Sequence, residues 1–304
     1  MNDNREHRGF FGTLGILIRV AFGLAMLLSF VLVLVALFAS HGPKVPNRGV
    51  LHLQLGGALV EHQEIDITAI LRGPLPRTLR SVTDSIRRAA ADERILGVLL
   101  EVDSPEIGLA QLQELEDAMA VFRASGKWTC AFLETAGDGD RGNAAYAAAI
   151  LADKVLLAPP GDVNLVGIRS EAMFFAGLLE KLDVGVHFEQ RYEYKNAANQ
   201  FTQKAFTPAH RESTVALVDS LQGDLVRHIA ARRKVDEAKA WEWVRGGPYL
   251  ANRALEEKLV DGLQYWDEVC ASAEHLAGGK DRLVTLETYA NEKKLYDSGP
   301  TIGV

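Results

Sequence analysis

Apolar and polar positions follow two recurring periods along this chain. Gly49-Val50-Leu51-His52-Leu53-Gln54-Leu55 alternates residue by residue, the period of a strand with one face buried. Leu79, Val82 and Ile86 then fall on one helical face. Ile95-Leu96-Gly97-Val98-Leu99-Leu100-Glu101-Val102 is almost unbroken apolar sequence, as expected of a strand covered on both faces. Leu109, Leu112, Leu115, Met119 and Phe122 form the next helical stripe, and Gly126 ends it. Trp128 to Leu133 reads as a third strand, Asn143 to Ala152 as a helix of small residues, and Lys154 to Ala158 as a fourth strand. Glu171 to Leu182 is predicted helical and Val186 to Tyr192 a fifth strand. Thr207-Pro208 has the form of an N-cap and first helical position, opening a long helix from Pro208 to Arg233 that Gly223 is placed to interrupt. The tail from Val235 reads as mainly helical.

Repeated β-α-β units of this kind predict an α/β fold with a mostly parallel sheet and helices packed on it. The helical stripes are core positions and carry no chemistry of their own.

One stretch fits neither period. From Val20 to Ala39 the chain is apolar without a charge. About twenty such residues span a hydrocarbon core of about 30 Å. Leu37-Phe38-Ala39 lacks the small-x-small pattern of a signal-peptide cleavage site, so the segment reads as an uncleaved anchor. Arg5, Arg8 and Arg19 precede it, against Lys44 and Arg48 after it. That bias places the N-terminus inside and the body outside the cytoplasm. The resulting division is 1–19 as a cytoplasmic N-terminus, 20–40 as a transmembrane anchor and 47–297 as the body. Residues 298–304 are set apart, because Ser298-Gly299-Pro300-Thr301-Ile302-Gly303-Val304 is a turn signal followed by the start of a strand. The body opens in the same way, so a second copy of the unit is expected to begin at Thr301.

Charge narrows the partners. The net charge is −7, with no basic stripe or arm, which argues against nucleic acid. The glycines match neither a P-loop nor a dinucleotide fingerprint, and no cofactor is expected. The eight histidines are scattered without ligand spacing, so no metal site is expected either. Asp138-Gly139-Asp140 lacks the further ligands of a calcium loop. Cys130 lies in a strand-like run as a small hydrophobe, and nothing in the spacing pairs it with Cys270.

The candidate chemistry centres on Lys195, in Arg191-Tyr192-Glu193-Tyr194-Lys195-Asn196, downstream of the β-like run Val184-Gly185-Val186-His187-Phe188. A lysine at the mouth of a strand among aromatics loses hydration. Desolvation favours the neutral amine, which can take a proton from a serine hydroxyl. The alternative is an exposed surface lysine. Within the chain, Ser104 reads as a turn residue before Pro105 and Ser170 as the N-cap of the helix from Glu171.

Taken together, several motifs resemble a known family. They are Arg94 to Leu100 before Asp103-Ser104-Pro105, Ala144 to Ala149 running into Ala152-Asp153-Lys154-Val155, Gly161 to Ile168, Tyr194-Lys195 with Phe201, and Ala254 to Asp261. Their order resembles the N-terminal half of the long, two-repeat signal peptide peptidases (protease IV) of the S49 family. The Leu259-Val260-Asp261 ending is shared with the wider ClpP/crotonase superfamily. The resemblance implies a ClpP/crotonase-like repeat and a Ser-Lys dyad cleaving residual, apolar signal peptides at the inner membrane. It also implies a single-pass protein with its body on the periplasmic side, assembled as a homo-oligomer. In the long form the first repeat supplies the lysine, here Lys195, and the second the serine.

The chain departs from the family pattern at several positions. Gly142-Asn143-Ala144-Ala145-Tyr146 places Asn143 where an active repeat has its serine. Asp103-Ser104-Pro105-Glu106-Ile107 lacks the glycines of an oxyanion-hole turn. Asn196 follows the lysine where Ser or Thr is usual, and Glu193 stands two residues before it, where a carboxylate favours the charged ammonium. Residues 1–304 alone are therefore expected not to hydrolyse peptides. A non-catalytic anchored scaffold of the same fold is the rival reading. An acyl-CoA enzyme of the crotonase type fits poorly with an extracytoplasmic body.

Overall fold

The computed structural model describes residues 19–34, 45–62, 77–137 and 141–292. The chain divides into two units, of which Pro46–Asn291 is the folded body. In chain order the first half of the body contains β1 (Gly49–Ala58), α1 (Leu79–Ala91), β2 (Ile95–Glu106), α2 (Leu109–Ala124), β3 (Trp128–Leu133), α3 (Gly142–Ala149), β4 (Lys154–Leu157) and β5 (Asp162–Val163). The second half contains α4 (Ala176–Lys181), a 3₁₀ turn (Asn196–Ala198), α5 (Asn199–Thr202), α6 (Pro208–Arg233), α7 (Glu237–Gly246), β6 (Tyr249–Leu250), α8 (Ala251–Glu256), β7 (Gly262–Leu263), α9 (Trp266–Leu276), β8 (Leu283–Thr285) and α10 (Leu286–Asn291).

Six strands form one sheet in the order β7-β4-β3-β2-β1-β8, and every pairing in it is parallel. β5 and β6 make a separate antiparallel pair. Register divides the side chains between two faces, because paired residues of parallel strands point the same way and successive residues alternate. Leu51, Leu53 and Leu55 of β1 share a face with Val98, Leu100 and Val102 of β2 and with Ala131 and Leu133 of β3. All of these are buried. The opposite face carries Val50, Leu99, Phe132 and Leu156, which pack with Val269, Ala273 and Ala277 from α9 and its C-cap. Gly97, paired with Val50, lies on this second face, where the Trp128 indole crosses it. A Cβ at Gly97 would fall 2.2 Å from that ring.

The helices follow from their apolar spacing and their caps. α1 starts where Thr78 accepts the Ser81 amide at 3.1 Å, and it buries Leu79, Val82, Ile86 and Ala89. α2 buries Leu112, Leu115, Met119 and Phe122, and Gly126 follows it with φ 78°. Each such side chain, fully buried, stabilises by about 1.5–3 kcal/mol. α6 begins as the sequence predicts, with Thr207 Oγ1 accepting the His210 amide at 3.2 Å and Pro208 in the first turn. It runs unbroken through Gly223.

The structure corrects three readings. No strand forms over Val186 to Tyr192, and residues 183–195 are all exposed. Its alternating pattern is genuine, but among the described residues it has no neighbouring strand to complete a ladder. The helix expected from Glu171 is confined to Ala176–Lys181, so Ser170 caps nothing. β2 continues through the expected turn at Asp103-Ser104-Pro105 to Glu106. It does so by a bulge, with Gly56 opposite Asp103 and Gly57 opposite Pro105, leaving Ser104 as the extra residue at φ 45°. The tail is mainly helical, as the sequence predicts, and it also adds β7 and β8 to opposite edges of the main sheet. Strands of two and three residues are too short to show a period.

Residues 19–34 form a helix in which every residue is exposed. The predicted anchor coincides with it from 20 to 34, while 35–40 lie outside the described residues. Among the described residues, no helix is long and apolar enough to cross a membrane. Asp138 and Asp140, and the whole of 298–304, also lie outside the described residues. Cys130 and Cys270 are both free and part-buried, and burial pushes each thiol up to about 11.

Candidate active site

Lys195 occupies a turn between α4 and α6. Tyr192 takes a left-handed backbone conformation at φ 65°, and the Lys195 amide returns to the Tyr192 carbonyl at 3.4 Å. The 3₁₀ turn begins at the next residue. Lys195 is exposed, so the body itself does not strip water from the amine, and the desolvated strand-mouth setting expected from sequence is absent. Among the described residues no ion pair joins Glu193 to Lys195. Nearby aromatics stack on one another, Phe188 on Phe201 at 5.7 Å and Phe201 on Phe175 at 6.0 Å.

The residues on either side of Lys195 are tied to consecutive residues of α6. The Tyr194 hydroxyl donates to Glu212 Oε2 at 2.9 Å, and Asn196 Nδ2 donates to Ser213 Oγ at 2.9 Å. Sequence spacing did not reveal these partners, since the turn and the helix meet only in the fold.

The second locus is the start of α3. Arg141 precedes the helix at φ 56° and its guanidinium reaches Glu106 Oε1 at 2.7 Å. Gly142 is obligatory, because a Cβ there would fall 2.1 Å from the Asn164 carbonyl oxygen. Asn143 acts as a bracket. Its Nδ2 donates to the Gly167 carbonyl at 2.6 Å, and its Oδ1 accepts the amides of Val166 at 3.2 Å and Gly167 at 3.1 Å. Gln222 extends the brace by accepting the Ile168 amide at 2.7 Å. Asn143 thus holds the 166–168 loop with bonds that a serine, one atom shorter and without an amide, cannot reproduce. The bonds that hold Asn143 and those that hold the Lys195 turn share no residue.

Ser104 and Ser170 are exposed, and neither bonds a lysine among the described residues. Asp261 has a structural task. It accepts a two-pronged bond from Arg233, at 2.9 and 3.0 Å, and takes the Val155 amide at 2.7 Å. Next to this pair, the Tyr146 hydroxyl donates to the Leu259 carbonyl at 2.9 Å. Burial pushes that phenol far above its usual range.

Residues 136–280 match peptidase family S49. The S49 segment takes in the Asn143 helix, Lys195, and the Arg233–Asp261 pair. Curated relatives carry matching descriptions. The chain is 28% identical over 200 residues to Protease 4 of Salmonella typhi, covering 61% of this chain and 31% of that protein. It is 23% identical over 262 residues to the chloroplastic serine protease SPPA of Arabidopsis thaliana, covering 85% and 37%. A putative signal peptide peptidase SppA of Enterococcus faecium is 26% identical, covering 70% and 56%. The chain thus resembles S49 signal peptide peptidases, which are serine-type peptidases, and spans between about a third and just over half of these relatives. Among solved structures, a mutant of the 1510-N membrane-bound stomatin-specific protease aligns at a TM-score of 0.39 and 11% identity, covering 76% of this chain and 86% of that one.

Proposed function

We propose that this chain is the lysine-supplying N-terminal half of a membrane-anchored S49 Ser-Lys endopeptidase that degrades residual signal peptides. The observation that supports this reading is the Tyr194-Lys195 step inside the segment that matches S49; the resemblance sets Asn143 where an active repeat has its serine. The serine comes from outside residues 1–304. With that serine in reach, the Lys195 amine takes the hydroxyl proton as the serine oxygen attacks the peptide carbonyl. The resulting ammonium returns the proton to the departing amine, leaving an acyl-enzyme that water hydrolyses. Approach of the second segment and of an apolar peptide is what would dehydrate the exposed amine. The uncharged stretch from Val20 to Ala39 supports an inner-membrane anchor with the body on the extracytoplasmic side, and assembly into a homo-oligomer accords with the split site.

A second reading, a non-catalytic scaffold of the same fold, is favoured by two observations: Lys195 is exposed, and Asn143 is committed to the 166–168 loop. A fluorophosphonate probe and a Lys195→Ala variant separate the two. Residues 1–304 alone should not label. In the whole protein, Lys195→Ala should abolish cleavage while the fold is retained. Undiminished turnover in that variant rules out Lys195 as the base, and a whole protein that neither cleaves nor labels is the scaffold.

A further inference from the structure

We infer that Glu212 and Ser213, at the start of α6, are positioning residues for Lys195; this rests on the base role proposed above. Lys195 is bracketed on both sides. Its preceding neighbour Tyr194 donates to Glu212 and its following neighbour Asn196 donates to Ser213, each at 2.9 Å. Two bonds from the residues flanking one position, to two adjacent residues of one helix, hold the intervening backbone in both position and direction.

The directions of these bonds are themselves constrained. Ser213 Oγ donates its only proton to the His210 carbonyl at 3.0 Å, so toward Asn196 it acts as an acceptor. Asn196 Oδ1 accepts Asn199 Nδ2 at 3.3 Å, and Asn199 is buried. The Asn196 amide group therefore has one orientation in which both bonds are made. The helix that receives these bonds is anchored by the Thr207 cap. Among the described residues, no hydrogen bond or ion pair engages the Lys195 amine itself. The scaffold is spent on the neighbours and the amine is left free, which is the arrangement a general base needs in order to meet a nucleophile from elsewhere. Asn196, which departs from the family's usual Ser or Thr, reaches Ser213 with its longer amide.

The test uses the whole protein and a peptide substrate. Ser213→Ala and Tyr194→Phe should each lower kcat about tenfold to a hundredfold with KM changed by less than about twofold, as loss of alignment predicts. Ser213→Thr, which keeps the acceptor oxygen, should restore most of kcat. Tyr194→Phe alters a half-exposed side chain and serves if Ser213→Ala fails to fold. Lys195→Ala is run alongside. If it is inactive while Ser213→Ala and Tyr194→Phe turn over within twofold of the parent, the positioning role is overturned and the base role stands. If Lys195→Ala is fully active, both are overturned.

Discussion

Asn143 and Gly167 bond each other in both directions: the side-chain amide donates to the Gly167 carbonyl at 2.6 Å, and the Gly167 N–H donates to Asn143 Oδ1 at 3.1 Å. The Asn143 side chain, which the family resemblance sets at the nucleophile position of an active repeat, acts in this fold as a latch on a backbone loop. Restoring a serine should not restore chemistry. Asn143→Ser in residues 1–304 should lose about 1–3 kcal/mol of stability through the unmet loop amides, and should remain unlabelled by a fluorophosphonate. Labelling at residue 143, or an unchanged denaturation midpoint, contradicts the latch.

The Arg233–Asp261 pair gives a second prediction. Arg233 has only 10% of its side chain exposed, and Asp261 also secures the Val155 amide at the edge of β4. Asp261→Ala should destabilise the body by about 2 kcal/mol, less than the ~3–5 kcal/mol of a fully buried pair because part of Asp261 is exposed. Chemical denaturation measures it, and a loss within experimental error of zero would show the pair to be incidental.

Adjacent positions on α2 test the helical register. Phe122 is completely buried, whereas Val121 is about half exposed. Phe122→Ala should cost about 3–5 kcal/mol, and Val121→Ala should stay within about 0.5 kcal/mol. Similar losses from both would mean that α2 presents a different face to the sheet.

Acid should weaken the body in two stages. Burial holds His228 below its usual value, against the hydrogen bond to the Ala147 carbonyl and the attraction of Glu116; Arg232 and Arg123 act in the same direction as burial. The folded imidazole stays neutral where the unfolded one, near pH ~6.5, takes a proton. Its contribution is therefore complete above that pH and is lost as pH falls toward the folded value. Asp92 is lowered chiefly by the side-chain bond from Arg94, with a further bond from Tyr289. Its contribution is present above the ordinary aspartate value of ~3.9 and declines below it. Stability measured against pH should show an upper step that His228→Gln flattens and a lower one that it leaves. Survival of the upper step in that variant would assign it to another group.

The β-α-β core was legible because its signals are local. β1 to β4 and the helices between them each contain enough residues for a period of two or 3.6 to show, and Thr207-Pro208 marked the start of α6 by its own chemistry. The anchor-like stretch could likewise be read from adjacent residues. The β-like run 184–188 and the strand expected over 186–192 show where such reasoning fails. Val184, Val186 and Phe188 alternate as a strand should, yet a strand exists only when another pairs with it.

The sequence by itself determined the β-α-β order of the body, and it made Lys195 a candidate base and Asn143 a departure from the resembled pattern. Each of these depends on residue identity or on spacing within one element. Only the tertiary structure decided that Lys195 faces solvent, that Glu212 and Ser213 hold its neighbours, that Asn143 latches the 166–168 loop and that β7 and β8 complete the sheet. Those outcomes depend on contacts between residues far apart in the chain, whose geometry is set when the elements pack.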